Sequence, residues 1–436
     1  MVRSVLVVAC LLAEVIVGCG SSSPDVTPKS DAAAPDHSVP DSAAPDASPD
    51  VRKTAGYPAP HPAMPQVVTL GGPVMKSPKF VIVTFAGDSL APQIDAFADA
   101  VAASKTYWSG TTAEYGVGPV AKVTHITLNE TPSSSLADSD VQAWLAQELT
   151  GPDAGVLDGG APWPAPDGDT IYMVYYPDGV SIGLGGETSC VQFYGYHGDF
   201  LLTGSTYVTY SVVARCAPFP MTSAIDSVTA IASHELVEAA TDPLAIDRPA
   251  YLQPDDDHLA WALPSGGELG DMCATFGNVF YKPSDVPFLV QRTWSNKSAA
   301  ASHDPCQPDG TTPYFNSAAL FSDTVTVDDP TLGKFTTKGI HIPVGSTETV
   351  TLDLYSDGMS APWTVQGFDL ASLFMTGAKE LDVSFAGKST ASGKNGDTID
   401  MSLKVLAAGS GGAEVVWIQS TLGQTETVWL GIVGSN

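Results

Sequence analysis

The chain has 436 residues, more than one ordinary hydrophobic core accommodates, so two domains with accessory segments are expected. Its 48 acidic residues against 19 basic ones give a formal charge of −29, which repels nucleic acid and anionic lipid head groups and argues against both as partners of the folded part. Charged residues are only 15% of the total, a balance that fits an extracytoplasmic protein better than a cytosolic enzyme.

The N-terminus reads as an export signal. Arg3 supplies the positive start, and residues 5–13 form an apolar run too short to span a bilayer permanently. Ile16-Val17-Gly18-Cys19 resembles a bacterial lipobox, which makes Cys19 the expected lipidation site and residues 1–19 the leader. Acyl chains on Cys19 would anchor the protein to a membrane at about 0.8 kcal/mol per buried CH₂. Residues 20–66 repeat Pro-Asp among Ala and Ser, and such a composition buries too little apolar surface to offset chain entropy, so a disordered tether is expected.

Beyond the tether, strands and helices alternate. Residues 79–85 are apolar and β-branched and predict a buried strand, and 94–104 predict a helix with Ile94, Phe97, Ala98 and Val101 on one side. A strand over 120–128, a helix over 140–149 and strands over 170–176 and 205–213 follow. A helix over 224–240, free of Gly and Pro, has Thr222 or Ser223 as its cap and Pro243 as its stop. This pattern predicts an α+β domain over 67–312, zincin-like if the motif below is a metal site. After residue 312 the pattern changes: 349–355 and 400–405 alternate strictly, and 415–418 and 427–433 add strands. An all-β sandwich over 313–436 is expected.

Once Cys10 and Cys19 are set aside, Cys190, Cys216, Cys273 and Cys306 remain. Of the three possible pairings, the sequence-local bridges Cys190–Cys216 and Cys273–Cys306 are preferred. No C-x-x-C suggests a zinc ribbon or redox pair, and no P-loop motif is present in the sequence.

The helix over 224–240 carries the main chemical signal, His234-Glu235-Leu236-Val237-Glu238. Residues four apart share a helix face, so His234 and Glu238 can ligate one ion, with Glu235 beside them as the general base of a metal-activated water. The glycine-rich segment 266–273 supplies Glu268 and Asp271 as further ligands, with His197 in reserve. Zn²⁺ is the expected cofactor; Glu238 in place of a histidine also admits another divalent cation. His258, among Asp255, Asp256 and Asp257, reads as part of a solvated loop rather than a Ca²⁺ site, and His125 reads as structural.

The succession F-Y-G-Y-H (193–197), Y-S-V-V-A-R-C (210–216), S-H-E-L-V-E-A-A-T-D-P (233–243), G-E-L-G-D-M-C (267–273) and V-Q-R-T-W-S-N (290–296) resembles a group of bacterial exported proteins similar to the phosphate-induced/Exordium family. The likeness covers about residues 79–306 and implies an exported, wall-facing protein, with no enzymatic activity to carry over. Two functions are therefore expected to compete. One is a lipid-anchored, zincin-like metallohydrolase, a peptidase in the first instance, acting on extracellular protein or polysaccharide. The other is a non-catalytic glycan- or wall-binding protein, for which Tyr172, Tyr175, Tyr176, Tyr194, Tyr196, Trp363, Trp417 and Trp429 are candidates to stack sugars, although most of these read more simply as core or strand residues.

Overall fold

A computed structural model describes residues 56–150, 163–329, 333–373 and 378–435. The leader, Cys19 and the tether up to residue 55 lie outside the described residues.

The first unit is a mixed sheet flanked by helices. Strands β1 (Lys79–Phe85), β2 (Lys122–Leu128), β3 (Thr170–Tyr175), β4 (Gly195–Thr203) and β5 (Thr206–Val213) are ordered β2-β1-β3-β5-β4. The first four in that order run parallel, and β4 closes one edge antiparallel to β5. Every residue of β3 is buried, as expected for a strand covered on both faces. Helix α1 (Ala91–Ala103) starts three residues before the predicted boundary because a proline is tolerated in a helix's first turn. Helix α2 (Asp138–Thr150) likewise starts two residues before its predicted boundary.

Helix α3 (Ala224–Thr241) matches its prediction to within one residue. Ser223 is the cap, its hydroxyl accepting from Asp226 N–H. From Ser227 onward every residue of α3 is buried, because the helix is enclosed by β3, β4, β5, α1 and the short strand β6 (Val290–Gln291). Thr229 and Ser233 tie it to the β6 segment: Thr229 Oγ1 donates to Leu289 O at 2.8 Å, and Ser233 Oγ accepts from Gln291 N–H at 2.9 Å.

The second unit, from Phe315 onward, contains a four-stranded and a six-stranded sheet in which nearly all pairings are antiparallel. Their inner residues, among them Leu352, Leu354, Met401 and Leu403 on one sheet and Val365, Val416 and Ile418 on the other, belong to one core. Gly367 marks the close approach of the sheets, since a Cβ there would collide with Val383 of the facing sheet.

The two units share packing. Trp429 meets Trp261 edge-on at 5.8 Å, Trp261 meets Trp294 at 5.7 Å, and Leu259 N–H donates to Thr337 Oγ1 at 3.1 Å. The β unit thereby buttresses residues 256–262, which lead into the loop carrying Glu268 and Asp271.

Three expectations change. The end of the predicted tether, 56–66, packs against the β unit: Ala59 is buried, Ala59 N–H donates to Asn395 Oδ1, and the His61 ring stacks on Tyr355 at 3.5 Å. Composition misled here because a few contacts fix the segment without an apolar run. The aromatic residues proposed to stack sugars are mostly core: Tyr172, Tyr175, Tyr176, Tyr196, Trp363, Trp417 and Trp429 are all buried, and only Tyr194 is partly exposed. They offer no surface platform. The Asp255–His258 segment is the capped start of a 3₁₀ helix (Asp256–Ala262) rather than a loop, with Asp255 accepting from Gln66 N–H and Asp257 N–H, and with Asp257 paired to Lys338.

The two sequence-local disulfides, Cys190–Cys216 and Cys273–Cys306, are both formed. Disulfides persist in oxidising compartments, which points to an extracytoplasmic location. Among the described residues no helix is long and apolar enough to cross a membrane.

Candidate metal centre

Three segments meet at the middle of α3. The first is β4, where Gly195 and His197 lie two residues apart and so face the same side of the strand. A Cβ on Gly195 would sit 2.6 Å from Ile231 Cγ2 and 2.9 Å from Glu235 Oε1, so only glycine lets α3 come close enough for His197 to reach its carboxylates. Tyr196 points the other way, donating to Asp138 Oδ1 at 2.7 Å beneath the opposite face of the sheet.

The second segment is the loop 265–271. Gly266 has φ +110°, a conformation side chains rarely adopt, and a Cβ there would collide with the Asp271 carboxylate. The loop is pinned at its end by Cys273, two residues beyond Asp271. The third segment is β6, which brings Gln291 against the back of His234: Gln291 Nε2 lies 2.7 Å from His234 Nδ1 and donates to Gly270 O at 2.9 Å. With Nδ1 so engaged, Nε2 is the nitrogen left to face the acids.

All five sequence-predicted ligands and the predicted base come together. His234 Nε2 is 2.9 Å from Glu238 Oε2 and 3.6 Å from Asp271 Oδ1. His197 Nδ1 is 3.6 Å from Glu235 Oε2 and 3.8 Å from the same Glu238 Oε2, and its Nε2 is 3.5 Å from Glu268 Oε1. Glu238 Oε1 is already used, accepting from Gly270 N–H at 2.9 Å and Asp271 N–H at 3.2 Å. None of the six side chains is more than 6% exposed, so water cannot stand in as a general partner.

The contacts are close without being hydrogen bonds. His197 Nε2, His234 Nε2, Glu235 Oε2, Glu238 Oε2, Glu268 Oε1 and Asp271 Oδ1 are all buried and lack an aligned hydrogen-bond partner. Even the 2.9 Å contact between His234 Nε2 and Glu238 Oε2 lacks that alignment. Leaving so many buried polar atoms unsatisfied would be costly. Donor atoms about 2.0–2.1 Å from one ion sit about 2.9–3.4 Å from each other, close to the spacings seen here. Within each of two triads, His234–Glu238–Asp271 and His197–Glu235–Glu238, the ligand atoms lie within 4.8 Å of one another. The donor set therefore fits a divalent cation.

The electrostatics agree. Burial, reinforced by Glu238, pushes the carboxyls of Glu268 and Asp271 well above the ordinary range, and burial raises Glu235 as well. Burial opposes the charge of His234, but Glu238, Glu235 and Asp271 outweigh it and hold the imidazolium up to about 10. Glu238 goes the other way: burial opposes its charge, but His234 keeps it ionised below the usual range. Asp242, one turn on, is pushed up to about 6 by burial. Mutually repelling carboxylates held out of water are what a cation would relieve.

The sequence reading missed Gln291 and the three close-packed glycines. Gln291 stands in the V-Q-R-T-W-S-N segment with no spacing to His234 that a linear motif could show. Gly270 gives a clean test. Its φ of −70° suits alanine, but a Cβ would collide with His234 Nδ1 and sit 2.8 Å from Glu238 Oε1. Gly270→Ala is expected to weaken divalent-cation uptake at least about tenfold, a 1.4 kcal/mol effect, as read by calorimetric titration. Unchanged affinity would place the ion elsewhere.

Two surface clefts among the described residues, of about 720 and 380 Å³, are lined by none of these side chains. No family model and no curated protein matches the chain. Among solved structures, it is similar to the crystal structure of a FixG-related protein from Vibrio parahaemolyticus, with 13% identity and a TM-score of 0.16, over 27% of this chain and 96% of that one.

Proposed function

We propose that the chain is an exported, lipid-anchored metallohydrolase of zincin-like design, acting on extracellular protein or polysaccharide. The observation that carries this reading is the convergence of buried, unpartnered donor atoms on the α3 segment His234–Glu238. His234, Glu238 and Asp271 would hold the ion, zinc in the first instance. A divalent cation there would acidify a water toward a pKa of about 7 and polarise a carbonyl. Glu235 is the proton acceptor: its Oε2 has no hydrogen-bond partner and lies beside the ligands. Glu268 backs His197 as an outer-shell carboxylate backs a ligating histidine. The disulfides, the lipobox-like Cys19 segment and the tether support export and anchoring.

The test is Glu235→Gln in the full mature chain, assayed on quenched-fluorescent casein and on labelled peptidoglycan. Loss of a general base is expected to slow hydrolysis by about 10²–10⁴-fold, with ion uptake at His234 unchanged. Hydrolysis that survives both chelation and Glu235→Gln would overturn the reading.

A second reading follows from the burial of all six side chains. Structural ion sites are closed, whereas catalytic ones keep an open position. If chelation lowers Tm while neither form hydrolyses either substrate, the ion is a structural clasp between α3, β4 and the 265–271 loop.

A further inference from the structure

We infer that the centre takes a second divalent cation, held by His197, Glu235 and Glu238, with Glu238 Oε2 bridging it to the ion on His234, Glu238 and Asp271. This rests on the metal-binding part of the proposed function and adds an ion to it.

The first observation is that the same oxygen serves both triads. Glu238 Oε2 is 2.9 Å from His234 Nε2 and 3.8 Å from His197 Nδ1, on two different strand-and-helix supports. The other oxygen of Glu238 is committed to two backbone N–H groups, so Oε2 alone faces both imidazoles. A carboxylate pinned in this way is placed to bridge two ions about 3.5–4 Å apart.

A second observation is a buried, unpartnered atom outside the His234 triad. Glu235 Oε2 is buried and unpartnered, yet the His234 triad does not use it. It faces His197 Nδ1 at 3.6 Å, while the far nitrogen of that ring faces Glu268 Oε1 at 3.5 Å. A ligating histidine is commonly oriented by a carboxylate on its other nitrogen, and Glu268 stands 3.5 Å from that nitrogen of His197.

The third consideration is charge. Glu235, Glu238, Glu268 and Asp271 are four carboxylates buried together in one space. One divalent cation neutralises half of them, and uncompensated buried charge is strongly unfavourable. Two divalent cations match the four with both imidazoles neutral, the form in which histidine ligates. Because the second ion engages Glu235, only the one-ion form keeps a free proton acceptor.

The test counts ions and requires no enzymatic activity. Full-length mature protein is stripped by chelator, incubated with excess Zn²⁺, gel-filtered and analysed by plasma emission. Two zinc ions per chain are expected, falling to one in His197→Ala. One ion in the wild type overturns the second site and leaves the His234-centred reading intact; none overturns both. Two ions retained in a folded His197→Ala variant would also overturn the assignment. Should that variant fail to fold, Mn²⁺-loaded wild type decides the matter. An exchange-coupled electron paramagnetic resonance spectrum is expected, and an isolated six-line Mn²⁺ signal at saturation would refute the bridge.

Discussion

Glu238→Ala is expected to abolish cation uptake and to destabilise the fold by about 3–5 kcal/mol, the penalty for breaking a fully buried ion pair from one side. The size of the effect follows from the two roles of this carboxylate. Oε1 satisfies the backbone N–H groups of Gly270 and Asp271, and Oε2 faces His234 and His197. Truncation leaves two buried N–H donors without an acceptor, a cost of about 1–3 kcal/mol each before any relaxation, and removes the partner that keeps His234 charged. Glu238→Gln separates these roles. The carboxamide oxygen can still accept from both N–H groups, so most of the stability should return. Its NH₂ would face the imidazole and cannot ligate, so cation uptake should remain lost. Urea denaturation with calorimetric ion titration measures both. Equal stability of the alanine and glutamine variants would show that the N–H contacts contribute little, and ion binding by either would remove Glu238 from the ligand set.

The α3 helix and its His-Glu-x-x-Glu signal were legible in the sequence because both are local. Periodicity, the Ser223 cap and the Pro243 stop depend on residues a few positions apart. The 265–271 loop was legible only as composition, since nothing in Gly266-Gly267-Glu268 states that Gly266 must adopt φ +110° to clear Asp271. Gln291 was not legible at all: its partner His234 is 57 residues away and the contact is set by β6 docking on α3. The same reasoning explains the aromatic residues. Tyr172, Tyr175 and Tyr176 read as candidate platforms because they cluster in sequence, but a β3 strand covered on both faces buries alternate residues in opposite directions. For 56–66 the error ran the other way. Single long-range contacts, such as His61 on Tyr355, leave no periodic trace.

The ion-free protein is expected to lose stability as pH rises from about 5 to about 9, the reverse of ordinary acid denaturation. The folded-state carboxyls of Glu268 and Asp271 are raised above their unfolded values by burial and by Glu238. A raised group stabilises the fold fully below its unfolded pKa, about 4 for a carboxyl, and that contribution is lost as pH climbs through the folded value. His234 adds a term of the same sign. Its imidazolium, opposed by burial but held up to about 10 by Glu238, contributes fully below its unfolded value of 6.5 and is lost toward pH 10. Glu238, with a depressed carboxyl, contributes in the opposite sense only on the acid side, where stability falls as pH drops below the usual carboxylate range. Each kcal/mol lost should appear as about 2–4 °C in Tm for a unit of 150–250 residues. Cation loading should reverse the trend, because the ion competes with protons for the same donor atoms and binds more tightly as they ionise. At a free concentration one hundred times Kd it adds about 2.7 kcal/mol, so the gap in Tm between loaded and stripped protein should widen with pH. Differential scanning calorimetry of both forms at pH 5, 7 and 9 tests this. A stripped protein whose Tm is flat or rises over that range would mean that the four carboxylates do not share one buried space.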